Sequence, residues 1–156
     1  MANNRLPVAH ATVRAFAHAT EDVERVRQCI RAIAGDSVTL EETRSRGYHH
    51  QPLLVLEAVV RGSRTLKDLL VRMGTPEVLE DFSVTWERRL DVEEGVLHFR
   101  LAKQPLFEGR VELEPEGGKG DLVKMELKLL AYPAKPESYR EVARSIFDLA
   151  GGGVGR

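Results

Sequence analysis

Val8-Ala9-His10-Ala11-Thr12-Val13-Arg14-Ala15-Phe16-Ala17-His18 is the stretch on which the fold turns. Ala9, Ala11, Val13, Ala15 and Ala17 occupy one phase of a period-2 pattern, and His10, Thr12, Arg14, Phe16 and His18 the other. Strict alternation of this kind describes a β-strand with one buried and one open face. The inward phase is nearly all alanine, which predicts that something bulky, a helix, packs close against it.

Downstream, Thr20 is placed to cap a helix, with Glu21 and Asp22 in its first turn. Val23, Val26, Cys29, Ile30 and Ile33 form its apolar side and Gly35 its end. Ser37–Arg46 and Leu53–Arg61 read as an antiparallel pair joined through Gly47–Pro52. Ser63 or Thr65 then caps a helix bearing Leu66, Leu69, Leu70 and Met73, closed by Gly74. Thr75-Pro76-Glu77 restarts a helix with proline in its first position. Leu79, Phe82, Trp86 and Leu90 continue at helical spacing. Ser83–Asp91 also fits period 2, and the helix is the preferred reading. Val96–Ala102, Arg110–Glu114 and Asp121–Tyr132 are predicted strands, with Lys103–Gly109 irregular and Glu116–Gly120 a hairpin loop. In the last strand Val123, Met125, Leu127 and Leu129 face inward, and Lys124, Glu126, Lys128, Leu130 and Tyr132 outward. Pro136 opens a final helix carrying Tyr139, Val142, Ile146 and Leu149. The expected order, β-α-β-β-α-α-β-β-β-α, is that of an α+β domain: a mostly antiparallel sheet with helices packed on one face. Residues 1–150 form this single domain, and 151–156 a flexible glycine-rich tail.

Bulk properties narrow the function classes. A chain of 156 residues suits one core. No apolar run approaches the roughly 20 residues of a membrane span. Met1–Arg5 has no apolar stretch behind its charge and does not read as a signal peptide. The single cysteine, Cys29, allows no intrachain disulfide. A cytoplasmic protein with no membrane attachment is expected. The net charge of -1 excludes a uniformly basic nucleic-acid binder, so any RNA must meet a segregated basic face.

The outward phase of the strands supplies such a face. His10, Arg14, Phe16 and His18 would be joined by His98, Arg100, Arg110, Lys124, Lys128 and Tyr132, if those strands neighbour the first. Cations attract phosphate and an exposed ring lets a base stack. Glu112, Glu114 and Glu126 would dilute the charge. The loop at Tyr48-His49-His50, flanked by Arg44 and Arg46, could extend the track, or Tyr48 could fold back onto the core. A solvated face, or one closed against a second subunit around Leu130, Phe16 and Tyr132, is the competing reading.

Metal and catalytic chemistry find little support. His10 and His18 are too far apart to share an ion, and His49 and His50 point to opposite sides of an extended chain. There is no G-x-S-x-G and no phosphate-binding G-x-x-x-x-G-K-[ST]. Cys29 reads as a small core residue. Neither a cofactor nor enzymatic activity is expected.

Several segments together resemble an archaeal family of small RNA-binding proteins and predicted exosome subunits. They are Arg14–Asp22, Gly47-Tyr48 with Pro52 and Leu53–Glu57, Arg88–Asp91 with Val96–Leu101, Lys103-Gln104, Gly109, and Ala131-Tyr132-Pro133 before the last helix. The likeness extends over residues 8 to 150. It implies a fold similar to that of a ribosomal protein that binds 5S ribosomal RNA, and a role in archaeal RNA processing or degradation with RNA and exosome proteins as partners. Family members place Gly-Asn after the tyrosine-containing turn, where this chain has His49-His50-Gln51. The RNA-binding residues expected are Arg14, Phe16, His18, Arg44, Arg46, Tyr48, Arg100, Lys124, Lys128 and Tyr132. A protein-interaction or homodimerisation module without direct RNA contact is the alternative.

Overall fold

The computed structural model describes residues 6–47, 50–114 and 122–151. The expected Glu116–Gly120 hairpin loop, Tyr48 and His49, and residues 152–156 of the expected tail lie outside the described residues, while Gly151, assigned to that tail, closes the last helix. Among the described residues no helix is long and apolar enough to cross a membrane.

The sheet is six-stranded and antiparallel. It is built from β1 (Val8–His18), β2 (Leu40–Arg46), β3 (Pro52–Val60), β4 (Leu90–Asp91), β5 (Val96–Ala102) and β6 (Leu122–Leu129), in the spatial order β2-β3-β1-β6-β5-β4. Helices α1 (Val23–Ala34), α2 (Ser63–Met73), α3 (Pro76–Arg89), α4 (Lys103–Phe107), α5 (Pro136–Arg144) and α6 (Ile146–Gly151) complete the chain. One face of the sheet is buried beneath the helices. Ala11, Val13, Ala15 and Ala17 of β1 meet that layer together with Leu56 and Ala58 of β3, Val123, Met125 and Leu127 of β6, and Leu97, Phe99 and Leu101 of β5. The small side chains of β1 at the sheet's centre let α1 and α2 approach its backbone closely, as the alanine phase predicts. β2 is an edge strand. Glu41, Glu42, Thr43, Arg44, Ser45 and Arg46 are all exposed there.

Most departures from the expected elements have an identifiable local cause. A β-bulge between Val8 and His10 shifts the alternation, so Val8 rather than Ala9 enters the core. The cap of α1 is Asp22, not Thr20. Its carboxylate accepts from the Glu24 N–H at 3.0 Å, after a turn in which the Glu21 N–H donates to the His18 carbonyl at 2.9 Å and the helix starts only at Val23. Asp22→Ala is expected to cost about 1 kcal/mol, within the range ~0.5–2, by chemical denaturation. The N-cap of α2 is Gly62, and neither Ser63 nor Thr65 caps it. The Ser63 hydroxyl instead accepts from the Leu6 N–H at 3.3 Å.

α3 is helical throughout Ser83–Arg89, with Thr75 capping the Val78 N–H and Pro76 in the first turn. Its buried stripe is Val78, Phe82 and Thr85, which leaves Leu79 41% exposed. Only Leu90 and Asp91 become strand. The Lys103–Gly109 segment is not irregular throughout but contains α4. Arg110–Glu114 is not a strand and forms one isolated bridge, Leu113 to Leu101. The final helix breaks at Ser145 into α5 and α6, which brings Ile146 and Phe147 to the core and leaves Leu149 exposed.

Candidate nucleic-acid interface

The sheet face opposite the helices is open. Antiparallel register sorts its side chains into cross-strand rows. In the central row Arg14 of β1 lies opposite Lys124 of β6, and Lys124 lies opposite Arg100 of β5. On the other flank Arg14 faces Glu57 of β3, and Glu57 faces Glu41 of β2. The Arg14 guanidinium donates to the Glu57 carboxylate at 2.5 and 2.9 Å. Lys124 and Arg100 have neither an ion pair nor a side-chain hydrogen bond among the described residues, and both are exposed. Like charges directly opposite on neighbouring strands repel, and of these three cations only Arg14 has a carboxylate partner among the described residues.

The adjoining row is apolar. Phe16, 36% exposed, faces Val55, and in the next row His18 faces Leu53. Leu122 holds the corresponding phase of β6 and is half-buried. A recess of about 280 Å³ lies beside the Arg14–Glu57 pair, bounded by Thr43, Ser45 and Val55, with Arg44 on its β2 rim. On the other side of the cationic row, Thr12 faces Glu126, and Glu126 faces His98, with Oε2 3.5 Å from His98 Nδ1.

Of the residues expected to bind RNA, Arg14, Phe16, His18, Arg100, Lys124 and Lys128 share this face. Lys128 is committed elsewhere: its ammonium donates to the Glu94 carbonyl and sits 5.9 Å from the Tyr139 ring centre. By register Arg44 and Arg46 belong to the other phase of β2, and of the two only Arg44 borders the recess. They lie opposite Leu54 and Pro52, in the phase of Glu42, whose carboxylate accepts from Arg27 of α1 on the helix side. Arg27 in turn holds the Glu42 carboxyl below the usual carboxylate range.

Tyr132 is also displaced. β6 ends at Leu129, so alternation no longer governs position 132. The ring, 89% exposed, borders a separate recess with Val142 and Leu149. Leu130, Phe16 and Tyr132 therefore do not make one assembly patch. Arg110 is a further correction. It follows α4, pairs with Glu108 and Glu112, and holds the Glu108 carboxyl low. Dilution of the basic face accordingly comes from Glu57, Glu41 and Glu126 rather than from Glu112 and Glu114. Tyr48 lies outside the described residues.

Residue patterning gave no hint of the part played by Lys103. Its residue surface is 3% exposed, yet its ammonium donates to the Phe16 carbonyl at 2.7 Å and to both Glu21 carboxylate oxygens at 2.9 Å. Glu21 also accepts from the His18 N–H at 3.0 Å. A partly buried ion pair thus fastens the main chain on either side of Ala17, including the backbone of Phe16. Only the resemblance carried through Lys103-Gln104 marked this position. Cys29 lies against the same feature, its sulfur 3.9 Å from the Lys103 carbonyl, and burial pushes its thiol up to about 11. Its burial makes it a small core residue.

A family model described as RNA binding matches residues 10–129. An RNA-binding protein of Pyrococcus abyssi is 29% identical over 148 residues, covering 90% of this chain and 94% of that protein. A crystal structure from Archaeoglobus fulgidus has a TM-score of 0.79 at 30% identity, covering 89% of this chain and 99% of the other. A DUF54 protein of Methanothermobacter thermautotrophicus has a TM-score of 0.70 at 29% identity, covering 90% and 98%. The family match spans well over half of the chain, and the chain belongs to this RNA-binding family.

Proposed function

We propose that the protein binds RNA directly through the open sheet face, as a non-enzymatic accessory of archaeal RNA processing or degradation. The observation that carries this reading is the Arg14–Lys124–Arg100 row, in which Lys124 and Arg100 have no ion-pair partner among the described residues. A polyanion laid across the row would relieve their repulsion and release its own counterions. A place beside the exosome, and a likeness to the ribosomal protein that binds 5S ribosomal RNA, rest on the family resemblance alone. The exosome link is tested by pull-down from native lysate with and without ribonuclease.

Direct binding is tested by titrating labelled RNA at increasing salt. Affinity is expected to fall steeply. Arg100→Gln with Lys124→Gln should reduce the slope of log affinity against log salt by about 1.4, at roughly 0.7 per lost single-strand phosphate contact. A salt-insensitive or absent signal overturns the reading.

A further inference from the structure

We infer that the site is built for single-stranded RNA, with phosphates over the Arg14–Lys124–Arg100 row and one unpaired base stacked on Phe16. This rests on the RNA-binding reading above and adds the form of the ligand. Neighbouring strands lie about 4.8 Å apart, so the cationic row runs roughly 10 Å across the sheet. Phe16 is two residues beyond Arg14 on the same strand and face, which places it roughly 7 Å to one side of that row. Base and phosphate within one nucleotide are separated by a comparable length. A strand crossing the sheet along the row can therefore keep its backbone on the cations while a base tilts down to the ring.

A duplex cannot make that contact. Each paired base has both faces covered by its neighbours in the stack, and a side chain rising from a flat sheet meets only the sugar–phosphate exterior. The apolar neighbours of Phe16 point the same way. Val55 and Leu53 give a base an uncharged floor, whereas duplex phosphates gain nothing from them. The main chain at Phe16 is also fixed in advance. Its carbonyl is held by Lys103, and the His18 N–H by Glu21, so little main-chain order has to be gained on stacking.

The test compares one labelled RNA strand of mixed sequence with the duplex formed from the same strand, by fluorescence anisotropy at a fixed salt concentration. Single-strand binding is expected to be tighter by tenfold or more. Phe16→Leu should weaken it by roughly tenfold while leaving duplex binding unchanged, and Phe16→Tyr should restore it. Circular dichroism of each variant confirms that the fold is kept. Duplex affinity equal to single-strand affinity, or a Phe16→Leu variant that binds the single strand as tightly as the parent, overturns the inference while leaving RNA binding intact. Loss of binding to both forms in the parent protein removes the RNA-binding reading itself.

Discussion

Replacing Lys103 by alanine is expected to lower the unfolding free energy by about 3–5 kcal/mol, because it leaves a partly buried carboxylate without its partner. Glu21 would then keep the His18 N–H as its remaining donor among the contacts described, and the Phe16 carbonyl would lose the ammonium at 2.7 Å. In a chain of this size each kcal/mol shifts the melting temperature by roughly 2–4 °C, so a fall of roughly 6–20 °C follows. Glu21→Gln should be milder, since the amide oxygen still accepts from both donors while the charge is lost. The stem of Lys103 also fills space beneath β1, and Lys103→Met separates packing from pairing. If the methionine variant melts with the parent, the ion pair contributes nothing and the clamp is only packing.

Phe99→Ala is expected to cost a further amount of the same order, about 3–5 kcal/mol, through a different mechanism. Phe99 of β5 is 1% exposed. Its ring stacks on Phe82 of α3 at 5.6 Å between centres and meets the edge of Phe147 of α6 at 6.0 Å. Phe82 and Phe147 complete the triangle at 5.0 Å, nearly perpendicular. Alanine at this point removes two aromatic contacts and opens a cavity where two helices rest on the sheet. Urea denaturation should show a lower midpoint with an unchanged m-value. A midpoint within experimental error of the parent would contradict the assignment of this triangle to the core. Phe16→Leu, on the open face, is by contrast expected to leave stability within about 0.5 kcal/mol.

Much of the fold could be read from local pattern. β1 declares itself by alternation, α1 and α2 by apolar spacing and terminal glycines, and α3 by Thr75-Pro76. The elements that escaped depend on distant partners. α4 is a five-residue helix with a proline inside it, anchored by the reach of Lys103 to Glu21. Leu113 is drawn to Leu101 by a single bridge that five residues of sequence do not announce. The candidate site divides along the same line. Arg14, Phe16, Lys124 and Arg100 follow from alternation once β1, β6 and β5 are neighbours. Arg44 and Arg46 depend on the register of β2 against β3, and a shift of one residue exchanges the two faces. Tyr132 fell outside because β6 stops three residues before it.

The placement of β3 bears on how the chain behaves at high concentration. Leu53-Leu54-Val55-Leu56, followed after Glu57 by Ala58-Val59-Val60, is an apolar, β-branched run of the kind that recruits identical strands into fibrils. In the fold it is an interior strand, hydrogen-bonded on both sides by β1 and β2. Of the two edge strands, β4 is only two residues long, and β2 carries Glu41, Glu42, Arg44 and Arg46, whose charges must be desolvated before another molecule can add to it. The native state thus hides this segment behind a charged border, and resistance to self-association depends on β2 staying docked.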